Sequence, residues 1–348
     1  MNATLKNHVF PMKTLMKYAG IVLAFLCLSG ASWGQATKHP FLWRIDSLKG
    51  NPLKTDSWLY GTMHLGDKRL VTLPHVVTEA IKGADALYCE VEMGGDQAAA
   101  QQMMLAKMMH PAGTTIESEL PKDLYARLKK GMEKRGYPMA AINQFRLWSL
   151  ELLLPMLDAQ KNGMTHFLDE TIYKMAEKQK KEVGGLEKVP DQLSVFASST
   201  PEQQVEGLRM ALDLMDKLDA KGTTSIKSIL EVYLRGDVEE LLDITIEFMG
   251  NDKEKTEARM KSLVYDRNIG MANGMAEMMT KHPGKSYFFA VGAMHCPGKK
   301  SVIELLEKKG FKLTRVNAPA KRKSKDTGLP TSKPESRPTS QPTSSPAK

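Results

Sequence analysis

Two short segments hold the residue types best suited to chemistry. Trp58-Leu59-Tyr60-Gly61-Thr62-Met63-His64 is an apolar run that ends in Gly-x-x-His, and Phe288-Phe289-Ala290-Val291-Gly292-Ala293-Met294-His295 repeats the device 231 positions later. A buried strand that ends on glycine lets the backbone turn tightly or approach a ligand. The following histidine then sits beyond the strand's C-terminal end, where open α/β sheets place ligands. Two such imidazoles could converge on one metal ion, or divide acid and base roles between them. Each could equally be a solvated turn residue, and spacing alone leaves these readings open.

A carboxylate stands in a comparable place. The segment Leu87-Tyr88-Cys89-Glu90-Val91-Glu92 is apolar up to Glu90, which puts Glu90 near the end of its strand. There it can act as a third ligand or as a general base. Glu92 is the second choice, on the same face by strand alternation. Arg267 can clamp a carboxylate or form a structural salt bridge. Asp169 is read as a helix cap, and Glu187 as a residue supporting the ligands from behind. Of the other histidines, His110 and His166 read as solvated, and His75 is a minor candidate close in sequence to His64.

Short apolar runs alternate with long helical patterns, which argues for an α/β fold: a mixed or mostly parallel central sheet flanked by helices. Strands are expected at 41–45, 57–61, 86–92, 182–186, 287–291 and 311–316. Helices are expected at 74–82, 96–109, 122–135, 140–160, 168–180, 201–220, 226–234, 238–249, 253–281 and 299–309. Helices dominate 96–281, which reads as a large insertion between two strand-rich halves. Methionines at helical spacing, such as Met271, Met275 and Met278, read as flexible core filler.

The ends of the chain differ from its middle. The 348 residues carry a formal charge of +9, and three lysines without an acid in 1–34 account for +3 of it. Seven Lys/Arg against two acids in 317–348 account for +5, which leaves the 282 residues between with +1. No basic nucleic-acid-binding face is therefore expected. Lysines to Lys17, an apolar run over 21–28 and the small residues Ser29, Gly30, Ala31 and Ser32 have the layout of a cleavable signal peptide over 1–34. The run is short for a retained anchor, and Phe25 and Leu26 before Cys27 do not suit a lipoprotein. An exported protein, periplasmic or secreted, follows. From 317 onward six prolines and ten Ser/Thr in 32 residues predict a disordered tail, with at most a weak contact to anionic surfaces. Residues 35–316 remain as the folded domain.

With these residues in view, the chain resembles the TraB/GumN family, which includes Tiki-type metalloproteases. LYGTMHLGD followed by LPHVVTEAIKGADALYCEVE is similar to that family's opening Gly-x-x-His, helix and Glu-bearing strand. The segment YDRNIGMANGM through YFFAVGAMHCPGKK and GFKLTRV is similar to its Arg-Asn helix, second Gly-x-x-His and terminal helix and strand. Asp169, Ala176, Lys181, Gly185-Leu186-Glu187 and Gln192 resemble its middle signature, so the likeness runs in order through roughly 41–316. It implies a site at His64, Glu90 and His295, the three residues already reached from the strand ends. It further implies a divalent metal (Zn, Mn or Co) and hydrolysis of a peptide or small-molecule substrate. Members of the same wider clan that resemble ChaN imply the alternative: non-catalytic binding of haem, metal or a signal peptide at the cell envelope. One departure lies near the chemistry. Cys296 follows the second histidine, where it can fill space, add a thiolate to the site or pair with Cys89.

No His-Glu-x-x-His helix, Gly-x-Ser-x-Gly elbow, Gly-x-x-x-x-Gly-Lys-Ser/Thr or Gly-x-Gly-x-x-Gly occurs in the sequence. Zincin, α/β-hydrolase and nucleotide-binding readings therefore lack support.

Overall fold

The computed structural model describes residues 38–47, 53, 55–64, 68–70, 72–95 and 97–317. The expected signal peptide, and the tail beyond 317, lie outside the described residues. Six strands form one sheet: β1 (Leu42–Ser47), β2 (Ser57–Thr62), β3 (Ala86–Val91), β4 (Glu182–Glu187), β5 (Tyr287–Gly292) and β6 (Phe311–Arg315). Their order is β4-β3-β5-β2-β1-β6. The first four in that order are mutually parallel, and β1 runs antiparallel to both β2 and β6. This is the mixed, mostly parallel sheet expected from the sequence.

Strand β5, YFFAVG, is buried at every position, as a central parallel strand covered on both faces must be. The Asp266–Lys281 helix buries Met271, Met275 and Met279 at 0% exposure, so these thioethers are core filler. Helices dominate between β3 and β5, but β4 interrupts them and returns to the sheet edge beside β3. The helices preceding and following β4 also build a second apolar core around Leu124, Leu128, Leu153, Leu208 and Leu212.

The structure departs from the expected elements in three places. The span 140–160 is not one helix: short 3₁₀ turns at Met139–Ala141 and Leu147–Ser149 precede a helix over Leu150–Lys161. Its first half pairs with other backbone instead, through Arg146 N–H to Met108 O (2.7 Å) and His110 N–H to Gln144 O (2.8 Å). Two short helices, Ile116–Glu119 and Val189–Ala197, lie outside the expected set. The span 253–281 is helical throughout, but a π turn at Lys261–Tyr265 joins its two α segments.

Candidate functional site

Three neighbouring strands deliver three side chains to one end of the sheet. β5 lies between β2 and β3, with Thr62 opposite Gly292 and Cys89 opposite Ala290. His64 follows β2 by two residues, Glu90 is the penultimate residue of β3, and His295 closes a 3₁₀ turn directly after β5. Gly292 is the floor between them. A Cβ there would lie 2.8 Å from His64 Nε2 and 3.1 Å from Glu90 Oε2, so a side chain would fill the space where the groups meet. Its backbone N–H donates to Glu90 Oε2 at 2.7 Å.

Glu90 is the shared partner. Its Oε2 lies 3.4 Å from His64 Nε2 and 3.6 Å from His295 Nε2. Its Oε1 accepts from Gln192 Nε2 at 2.7 Å and from an Arg267 terminal nitrogen. Glu90 is 3% exposed and His295 4%, whereas His64 leaves 54% of its side chain open although both ring nitrogens face carboxylates.

The outer nitrogens of both rings are tied down. Asn268, fully buried, donates from Nδ2 to Lys300 O at 2.8 Å, so its Oδ1 must be the acceptor facing His295 Nδ1 at 2.6 Å. His295 therefore carries a proton on Nδ1 and turns Nε2 toward Glu90, an assignment made from the network. Asp169 Oδ2 lies 3.0 Å from His64 Nδ1, and its Oδ1 accepts from Thr62 Oγ1 at 2.7 Å. A carboxylate only accepts, so His64 also donates from Nδ1. Burial opposes a charged His64, but the Asp169 and Glu90 carboxylates outweigh it and hold its pKa well above the usual 6.5. Burial likewise opposes a charged Glu90, but the two histidines outweigh it and hold its pKa well below 4.5.

The secondary candidates fall into two groups. Arg267 both clamps and bridges: it contacts Glu90, holds Glu187 through Nε and a terminal nitrogen at 2.6–3.2 Å, and donates to Leu263 O at 3.0 Å. Glu187 thus supports the site through Arg267. Asp169 does not cap its helix, whose N-cap is Phe167, and supports His64 instead. Glu92 lies past the end of β3 and is exposed. Cys89 and Cys296 are both free and buried, so no disulfide joins them. A Cβ on Gly61 would meet Cys296 Sγ at 3.1 Å, which makes the cysteine a small filler, and burial raises its thiol to about 12. His75 and His166 are exposed. His110 is not solvated, because its side chain is only 4% exposed.

Among the described residues no group of three or more His, Cys, Asp or Glu side chains forms a ready-made metal site. The donor set nevertheless suits one. Two donors each about 2.1 Å from a tetrahedral ion lie ~3.4 Å apart, close to the 3.4 and 3.6 Å separations at Glu90 Oε2. Each imidazole has its far nitrogen bound to an acceptor, the arrangement that orients metal-ligating histidines. Two nitrogens and one oxygen also leave a coordination position open.

Thr62, Gln192 and Asn268 were not singled out as site residues from the sequence. Each acts through a partner brought near by tertiary folding, and the signal that could have found them is that all three fall within the segments that carry the family resemblance.

A family model described as TraB/PrgY/gumN family matches residues 41–315. Among curated proteins, the chain is 25% identical to "Metalloprotease TIKI homolog" of Amphimedon queenslandica, over 89% of this chain and 68% of the relative. It is 25% identical to "Metalloprotease TIKI1" of Danio rerio, over 83% of this chain and 66% of the relative. It is 22% identical to "Uncharacterized protein YbaP" of Shigella flexneri, over 79% of this chain and 96% of the relative. The chain thus spans about two thirds of the length of these TIKI relatives. No solved structure matches it.

Proposed function

The chain belongs to the TraB/PrgY/gumN family, and from that premise we propose that it is an exported metal-dependent hydrolase that cleaves peptides. The observation that carries this reading is the approach of two oriented imidazole nitrogens to one carboxylate oxygen, at 3.4 and 3.6 Å. The names of the TIKI relatives support the reaction class, and the Lys-rich start with its apolar run over 21–28 supports export. No helix among the described residues is long and apolar enough to cross a membrane.

In this reading His64, His295 and Glu90 hold a divalent ion, with zinc, manganese and cobalt all suited to imidazole and carboxylate donors. When bound, such an ion polarises a scissile carbonyl and lowers the pKa of a water molecule toward neutrality. The protein's own groups do the positioning. Asp169 and Asn268 hold the two Nδ1 protons, so that both Nε2 atoms present lone pairs to the site. Arg267 and Gln192 occupy Glu90 Oε1, while Oε2 accepts the Gly292 N–H and keeps its other lone pair as the working one. The half-open face of His64 is the side from which a substrate can enter.

The heavy commitment of Glu90 favours a second reading, in which the site binds metal or a peptide without cleaving it. One experiment separates the two. Purified protein is incubated with a mixture of peptides of defined sequence, with a chelator, and with the chelator followed by excess Mn²⁺, Co²⁺ or Zn²⁺. Cleavage that stops on chelation, returns with metal and is absent from a folded His295→Ala variant supports hydrolysis. Cleavage indifferent to both overturns it, and metal-dependent peptide retention without cleavage favours the second reading.

A further inference from the structure

A cavity of about 710 Å³ lies in the helical part of the molecule, within the range of small-molecule sites. Its walls come from the Gln97–Met108, Ile116–Glu119, Val189–Ala197 and Pro201–Ala220 helices and from the Leu147–Ser149 turn. None of His64, Glu90 or His295 lines it.

The lining is mixed in a directed way. Lys107, His110 and Arg146 are the basic side chains and Glu119 is the single acid, while Trp148, Leu193 and Val205 contribute apolar surface. Of the five N–H donors of a guanidinium, Arg146 commits Nε to Met109 O at 3.0 Å among the described residues. Lys107 stands exposed at the rim. His110 is the least expected member. Its Nε2 is buried without an aligned hydrogen bond, although Glu119 Oε2 lies 3.1 Å away. The same pairing that breaks the expected 140–160 helix, Arg146 to Met108 and His110 to Gln144, is what sets the two basic residues on one wall.

We infer that this cavity is a second ligand site, which takes a carboxylate carried on an apolar body. The carboxylate pairs with Arg146 and Lys107, and the body packs on Trp148, Leu193 and Val205. Charge-assisted bonds to a guanidinium supply the specificity, and the apolar wall supplies burial. Two sources present this chemistry, the C-terminus of a peptide with a large apolar last residue and a free medium-chain acid. The site is independent of the hydrolase reading.

The test uses the full chain and reads tryptophan fluorescence and thermal midpoint during titration with three probes: N-acetyl-leucine, its uncharged amide N-acetyl-leucinamide, and octanoate. A carboxylate probe is expected to raise the midpoint and change the fluorescence, with the amide binding at least tenfold more weakly. The stronger of N-acetyl-leucine and octanoate identifies the source. Lys107→Gln, at an exposed position, is expected to weaken binding about tenfold, the size of one lost charge-assisted bond. Arg146→Gln is expected to weaken it further, and His295→Ala to leave it unchanged. Equal binding of acid and amide, binding insensitive to Lys107→Gln, or absence of binding by both acids overturns the proposal. Loss of binding in His295→Ala would assign the signal to the sheet-end site instead.

Discussion

The two histidines differ in what holds them, and the difference is testable. His295 faces a neutral amide, Asn268, which is itself fixed by the Lys300 carbonyl, whereas His64 faces the Asp169 carboxylate. Replacing Asn268 with Ala frees the His295 ring to rotate or change tautomer. Loss of such a supporting partner costs 10- to 100-fold in metal affinity or activity, so Asn268→Ala is expected to lose that much in a metal titration while remaining folded. Wild-type affinity in this variant would remove Asn268 from the account. His64 predicts a pH effect. Its pKa in the metal-free protein is raised above 6.5 by Asp169 and Glu90 against the effect of burial. A charged His64 therefore stabilises the metal-free fold fully below 6.5, and that contribution fades as pH rises through the raised value. A metal ligand must be the neutral ring, so binding releases this proton and affinity climbs with pH beyond 6.5. Calorimetry in buffers of different ionisation enthalpy should show proton uptake by the buffer; affinity that is flat between about pH 6 and 8 would contradict it. The convergence of His64, Glu90 and His295 was expected from the sequence because each lies at the end of an apolar strand, a purely local signal. The contacts of Thr62, Gln192 and Asn268 were not legible, because they depend on which helix lies against which strand end.

At the scale of elements, the glycines separate structural need from coincidence. Gly292→Ala puts a methyl group 2.8 Å from His64 Nε2 and 3.1 Å from Glu90 Oε2. It should abolish metal binding, because the His64 ring must shift away from Glu90; an intact site in this variant would contradict the geometry. Gly270 is exposed on the Asp266–Lys281 helix, and a Cβ added there would meet nothing within 4 Å. Gly270→Ala should stabilise the protein by about 0.5–1 kcal/mol in thermal or denaturant unfolding without touching the site. Arg267 stands at the start of that helix, directly after the π turn, and π turns occur frequently at functional sites. Removing its charge as Arg267→Met leaves the buried Glu90 and the half-buried Glu187 without their shared cation, at a cost of roughly 3–5 kcal/mol. The paired variant Arg267→Met/Glu187→Gln should recover part of that loss. Strand and long-helix patterns were readable because their periodicity is strong. The 140–160 span misled because its apolar spacing fits a helix while residues 143–146 find better partners in the chain at 108–116.

Across the whole molecule, a mostly parallel sheet brings the C-terminal ends of β2, β5 and β3 side by side, and that ordering unites residues 64, 90 and 295. Sequence distance says nothing about such contact; the alternation of strands and helices is what made a common sheet edge expected. Substrate and partners are less accessible, because cavity shape arises from packing among helices whose inner faces read alike. The central claim is that the two imidazoles and the Glu90 carboxylate hold one divalent ion. It is tested most directly by the metal content of the purified protein, measured by elemental analysis after equilibration with Zn²⁺, Mn²⁺ or Co²⁺ and removal of free metal. The account predicts one ion per chain in the wild type and none in folded His64→Ala and His295→Ala variants. Equal metal content in all three proteins, or none in the wild type, would contradict it.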